Sequence, residues 1–153
     1  MALLLDVNVW LDFHFPFRSG HDTAVTLVHA AAEKDIDLFV SASSLSDFFY
    51  LAQALVKRQL GPDAPNAAAF ARQYAWQMVD CLLDWAFVSA IDQGDAWVAR
   101  HYRRIHDDFE DDLVIAAALR CKAAYLITND EALLHHSPVP ALSAAEWVAQ
   151  YAR

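Results

Sequence analysis

Six residues of this chain, Asp107-Asp108-Phe109-Glu110-Asp111-Asp112, carry five carboxylates directly ahead of the apolar run Leu113-Val114-Ile115-Ala116-Ala117-Ala118-Leu119. Three further acids stand where a short apolar strand or a serine-led turn stops. Asp6 follows Leu3-Leu4-Leu5, Asp47 follows Ser43-Ser44-Leu45-Ser46, and Asp130 follows Leu126-Ile127-Thr128-Asn129. Carboxylates gathered from distant segments are suited to a hard divalent cation, which takes oxygen ligands. Such a cluster repels itself until a cation neutralises it. Mg²⁺ or Mn²⁺ keeps several waters in its shell, so the chemistry implied is in-line hydrolysis of a phosphodiester.

Positioning these acids requires elements that end side by side. Leu3-Leu4-Leu5, Leu38-Phe39-Val40, Phe87-Val88-Ser89-Ala90 and Tyr125-Leu126-Ile127-Thr128 read as short buried strands, the first expected to run from Ala2 to Val7. Helices are expected at 23–34, from Ser43 or Ser44 to the Gly61-Pro62 stop, from Pro65-Asn66 to about 83, at 95–104, at 110–122 and after Ser143. Residues 139–142 suit an edge strand, because Pro140 cannot donate to a ladder. Strands alternating with helices predict an α/β fold around a mostly parallel sheet, in which the functional crevice lies at the carboxyl ends of the strands. At 153 residues, with no long linker, the chain is read as one domain over 1–153.

Local spacing supports this layout. Ser44 and Asp47 are three apart, as are Asp108 and Asp111, the interval of a capping box. A capping acid by itself is a structural device. The functional reading rests on orientation, because Asp111 shares a helical face with Ile115, Ala118 and Leu119, and Asp47 shares one with Leu51, Ala54 and Leu55. An acid on a core-facing stripe must be paired, protonated or bound to metal.

Composition excludes other classes. The net charge of -9 argues against a surface built to hold duplex DNA through its phosphates. Local cations must then serve any nucleic acid, and Arg100, Arg103 and Arg104, just before the acidic run, are candidates. Gly20, Gly61 and Gly94 stand singly, so no phosphate-cradling loop is present, and no serine lies in a nucleophile elbow. Asp6-Val7-Asn8-Val9 imitates the opening of haloacid-dehalogenase phosphatases, but Asn8 stands where their acid/base carboxylate would be. His101 with His106, and His135 with His136, lack ligand spacing on one helical face and read as surface or packing residues. Cys81 and Cys121 form no zinc or disulfide pattern. No basic leader precedes Leu3 and no apolar run suits a bilayer, so a soluble cytoplasmic protein is expected.

Taken in order, Leu5-Asp6-Val7-Asn8-Val9, Ser46-Asp47-Phe48-Phe49-Tyr50-Leu51, Asp108-Phe109-Glu110-Asp111-Asp112-Leu113 and Tyr125-Leu126-Ile127-Thr128-Asn129-Asp130 resemble the PIN-domain nucleases, in particular their VapC-like branch. Each motif is weak alone, while the order and spacing are fairly specific. The resemblance implies a three-layer α/β/α sandwich and a metal-dependent endoribonuclease, the toxin of a type II toxin–antitoxin pair. It implies Asp6, Asp47, Asp111 and Asp130 as the acidic set, with Asp6, Asp111 and Asp130 on Mg²⁺ or Mn²⁺ and with Asn8 and Thr128 as polar supports. Asp111 rather than Asp112 keeps Leu113, Leu119, Tyr125 and Thr128 in step with the family pattern. Two departures stand out: the second acid is Asp47 where the family commonly has Glu, and Asp112 follows Asp111 where a small residue is typical. The implied partners are RNA, a cognate antitoxin and a second copy of the chain. The aromatic richness, including Trp10, Phe13, Phe15, Phe17, Phe48, Phe49, Tyr50, Trp76 and Trp85, exceeds the needs of a small core and suits a surface for a dimer or an inhibitory partner. The competing readings are a PIN-fold module that binds RNA or protein without cleaving, and a housekeeping RNA-processing nuclease without an antitoxin.

Overall fold

The computed structural model describes residues 1–104 and 107–152. The elements run β1 (Ala2–Leu5), α1 (Val7–His14), α2 (His21–Glu33), β2 (Asp37–Ser41), α3 (Ala42–Leu60), α4 (Ala67–Trp85), β3 (Phe87–Ser89), α5 (Gln93–Tyr102), α6 (Phe109–Arg120), β4 (Tyr125–Ile127), α7 (Glu131–His136), β5 (Ala141–Leu142) and α8 (Ala144–Tyr151). The strands form one sheet in the order β3-β2-β1-β4-β5, with every pairing parallel. β1 is thus the middle strand, and β5 lies at an edge as the proline suggested.

Period-two alternation explains the uninterrupted leucines of β1. Leu3 and Leu5 enter a core with Trp10 of α1, Leu27 of α2, Phe48 of α3, Leu82 of α4 and Trp147 of α8. Leu4 faces the other way, onto Val114, Ile115 and Ala118 of α6, Leu126 of β4 and Leu133 of α7. Helices therefore cover both faces of the sheet, giving the expected α/β/α sandwich. Arg120, at the end of α6, contacts Asp92 at 2.6 Å and Asp95 at 2.7 Å, which ties α6 to the start of α5.

Three expectations need correction. β1 stops at Leu5, because Asp6 turns its carboxylate onto the Val7 amide at 2.6 Å and starts a helix, α1, that the sequence pattern does not announce. α3 begins at Ala42 rather than behind Ser43 or Ser44, since Ser41, still extended at φ -67° and ψ 143°, is its N-cap. Asp47 is therefore deeper than the capping position. The six-residue α7 is likewise unexpected, being too short to reveal a period. At α6 the expected geometry is found: Asp108 caps the helix through Glu110 N–H and Asp111 N–H, and Asp111 is its third residue. Ser143 and Glu146 form the expected capping box of α8. Gly61, at φ +86°, ends α3 in a backbone region that side-chain-bearing residues avoid.

Among the described residues no helix is long and apolar enough to cross a membrane. Because Leu4 is fully buried between β1 and α6, Leu4→Ala is expected to cost about 2–5 kcal/mol in urea unfolding, and a loss under about 1 kcal/mol would contradict this packing.

Candidate active site

β1 and β4 are neighbours, so the residues that follow them meet at the carboxyl edge of the sheet. Asp6 is 5% exposed there. Its Oδ1 accepts the Val7 amide at 2.6 Å, while Oδ2 accepts the Thr128 hydroxyl at 2.7 Å and Asn8 Nδ2 at 2.8 Å. Burial raises the Asp6 carboxyl above its ordinary range and the charge of Asp130 raises it further, against the pull of the Thr128, Val7 and Asn8 donors. Thr128 is fully buried, and its Oγ1 also accepts the Asp130 amide at 3.0 Å. Asp130 caps α7, accepting from Ala132 N–H at 2.9 Å and Leu133 N–H at 3.0 Å.

A second acidic pair lies where α3 meets α6. α6 runs back toward the start of β4, so its N-terminus faces the same carboxyl edge. Glu110, on the first turn of α6, shares a hydrogen bond with Asp47 of α3. That bond raises the Glu110 carboxyl to about 7, with help from partial burial and the charges of Asp47, Asp108 and Asp111. Asp111 follows on α6, half-buried.

The family model described as PIN domain matches residues 2–132. The chain belongs to the PIN-domain family. Among solved structures it resembles VapBC2 from Rickettsia felis, crystallised with a DNA fragment from its promoter, at a TM-score of 0.66 and 13% identity over 94% of this chain and 98% of that one. It also resembles VapC20 from Mycobacterium tuberculosis, described as a Sarcin-Ricin loop cleaving toxin, at a TM-score of 0.57 and 16% identity over 84% and 90%. Both likenesses are of fold. No curated protein matches the sequence.

Within this PIN fold the expected residues fall into two groups. Asp6, Asn8, Thr128 and Asp130 are joined by hydrogen bonds and charge, and Asp47 is joined to the acidic start of α6. The expected core-facing stripe of Asp47 is corrected: Phe48, Ala52 and Val56 face the core, whereas Leu51 and Ala54 are exposed and Asp47 lies half-buried at the rim. The same holds at one end of the Asp111 stripe, where Ile115 and Ala118 are buried but Leu119 is exposed. Asp112 is 2% exposed and lines a cavity of about 570 Å³ between α5 and α6, which Arg100, Arg103 and Phe109 also line. Arg100, Arg103 and Arg104 are all exposed; Arg100 lies over Trp97 at 5.2 Å, and Arg103 pairs with Asp107 at 3.5 Å. His106 lies outside the described residues. His101 is exposed, and His135 pairs with Glu131 at 3.3 Å on the surface.

Sequence reasoning does not single out Glu110. It sits inside the acidic run, but nothing in a linear run tells which acid meets α3. Asp12 escapes it too, although it stands one helical turn after Asn8.

Among the described residues no three His, Cys, Asp or Glu side chains stand close enough to hold a metal ion together. The acids are nevertheless all oxygen donors, and in each pair like charge disfavours ionisation. Mg²⁺ is commonly held by one or two carboxylates, with waters and substrate phosphates completing its shell, so this donor set fits such an ion.

Glu110 generates a pH prediction. Its folded value of about 7 lies above the ordinary 4.5, so the folded state holds the extra proton between these limits and loses stability as pH rises through them. Glu110→Gln is expected to melt above wild type at pH about 8, with the difference fading toward pH about 4.5. Melting curves that stay parallel over the whole range would contradict the shared proton.

Proposed function

We propose that this PIN domain is a metal-dependent endoribonuclease that hydrolyses RNA phosphodiester bonds, and that it is the cytoplasmic toxin of a type II toxin–antitoxin pair. The observation that carries the reading is the buried carboxylate of Asp6, fixed by Thr128 and Asn8 beside Asp130 at the carboxyl edge of the sheet. Membership of the PIN family and the likeness to two structures named for VapBC2 and VapC20 support it.

In this reading Asp6, Asp111 and Asp130 would hold Mg²⁺ or Mn²⁺, in part through the waters such an ion keeps, and Asp47 would complete the shell or orient water. Such an ion, when bound, would supply positive charge at a phosphate oxygen and make water a better nucleophile at neutral pH. The chain's own contribution is placement. Thr128 and Asn8 hold the Asp6 carboxylate in one rotamer, Asp108 fixes the first turn of α6 under Asp111, and the Glu110 bond draws Asp47 toward that turn.

RNA reaching these acids meets a protein of net charge -9. Arg100, Arg103 and Arg104 at the end of α5 offset the repulsion, next to the exposed rings of Trp97 and Phe109. For the antitoxin, a cavity of about 390 Å³ between α3 and α4 is lined by Leu45, Phe49, Tyr50, Trp76 and Val79. Tyr50 and Trp76 are 66% and 57% exposed, rings that a partner chain would cover.

Two outcomes are expected. Wild type should cut single-stranded RNA with Mg²⁺ or Mn²⁺ and not with EDTA, and Asp111→Asn should lower the rate by about 100-fold or more while remaining folded. Equal cleavage by the variant would remove Asp111 from the site. Replacing Arg100 and Arg103 together by Ala should reduce the slope of log affinity against log salt by about 1.4. An unchanged slope would place RNA elsewhere.

A further inference from the structure

The chemistry above leaves one buried acid of α1 unused. Asp12 is 5% exposed and stands four residues after Asn8, so the two side chains share a face of the helix. Its Oδ1 accepts Arg18 Nε at 2.6 Å, and its Oδ2 accepts Asn129 Nδ2 at 2.9 Å across 117 residues of sequence. The backbone amide of Asn129 donates to Asn8 Oδ1 at 3.2 Å. Asn8 and Asp12 therefore grip the backbone and the side chain of the same residue. That residue lies between Thr128, which donates to Asp6, and Asp130, which caps α7.

Asn129 is itself exposed, so apolar burial does not hold this point of the loop. Polar ties do, and they are directional. The space beside Asp12 is kept open by glycine. A Cβ on Gly20 would collide with Asp12 Oδ2 and its carboxyl carbon, so a larger residue there forces the carboxylate away from its position beside Asn129.

We propose that Asp12, anchored by Arg18, is a positioning residue that fixes the loop from Thr128 to Asp130 through Asn129 and so sets Thr128 and Asp130 against Asp6. Its effect on catalysis rests on the nuclease reading; its effect on the loop does not. Asn at position 12 would turn a donor toward either Arg18 or Asn129 and lose one of the two contacts. Ala at position 20 would displace the carboxylate without changing any charge.

The test compares wild type, Asp12→Asn and Gly20→Ala by amide hydrogen exchange and by RNA cleavage. Both variants are expected to exchange the Asn129 and Asp130 amides about tenfold faster, with β1 and β2 amides unchanged. On single-stranded RNA with Mn²⁺, kcat should fall about tenfold with KM within about twofold. Native exchange at Asn129 and Asp130 in both variants would overturn the proposal. So would unfolding of both, or faster exchange throughout the protein, since Asp12 would then be a general stabilising residue. A loosened loop with unchanged kcat in an active enzyme would also overturn it. If wild type cuts no RNA, a loosened loop still upholds the placement by Asp12 while the nuclease reading fails.

Discussion

An acid buried at the end of the middle strand is the constraint around which this molecule is arranged. Removing a carboxylate from water is costly unless donors replace the water, and Asp6 has three, from Val7, Asn8 and Thr128. Those donors come from two directions that only this strand order brings together. α1 must start at once after β1 to supply Val7 and Asn8, and β4 must pair beside β1 to supply Thr128. The same pairing brings the charge of Asp130 close enough to oppose ionisation of Asp6. The site thus combines firm placement with unrelieved repulsion, a combination that a cation resolves.

The second pair works on the opposite side of β1. β2 delivers α3, and α6 crosses the far face of the sheet so that its acidic first turn meets Asp47. Acids at a helix N-terminus are stabilised by the helix dipole and by the amides they cap, which explains how Asp107 to Asp112 can crowd together without unwinding α6. Glu110 relieves part of the crowding by keeping a proton near neutral pH. Arg120, at the other end of α6, is engaged with Asp92 and Asp95 and offers the acidic turn no relief. The cations nearest that turn in sequence belong instead to the end of α5, where they are exposed to solvent.

Much of this is legible in the sequence, for physical reasons. Leu3-Leu4-Leu5 reads as a short strand buried on both faces, and the structure splits these leucines between two cores. Asp6 and Asp130 are readable because an acid that stops an apolar strand lands at the carboxyl edge. Asp108 and Asp111 are readable because capping chemistry depends on local spacing. What escapes depends on tertiary contact. Ser41, Ser43 and Ser44 could each cap α3, and the choice follows from where β2 stops pairing. Which face of α3 meets the core is likewise set by packing, and it is the face of Phe48, Ala52 and Val56 rather than that of Asp47 and Leu51. The link from Asp12 to Asn129 joins segments 117 residues apart, a relation that no local pattern contains. α1 and α7 escape because eight and six residues are too few to display a helical period against neighbouring strands.

If Asp6 and its neighbours form a cation-dependent site, titrating Mn²⁺ by calorimetry at neutral pH will distinguish wild type from Asp6→Asn. Wild type should bind, and the variant, folded by circular dichroism, should bind about tenfold more weakly or worse. Equal affinity in the two proteins would place the ion elsewhere and rule out Asp6 as its ligand.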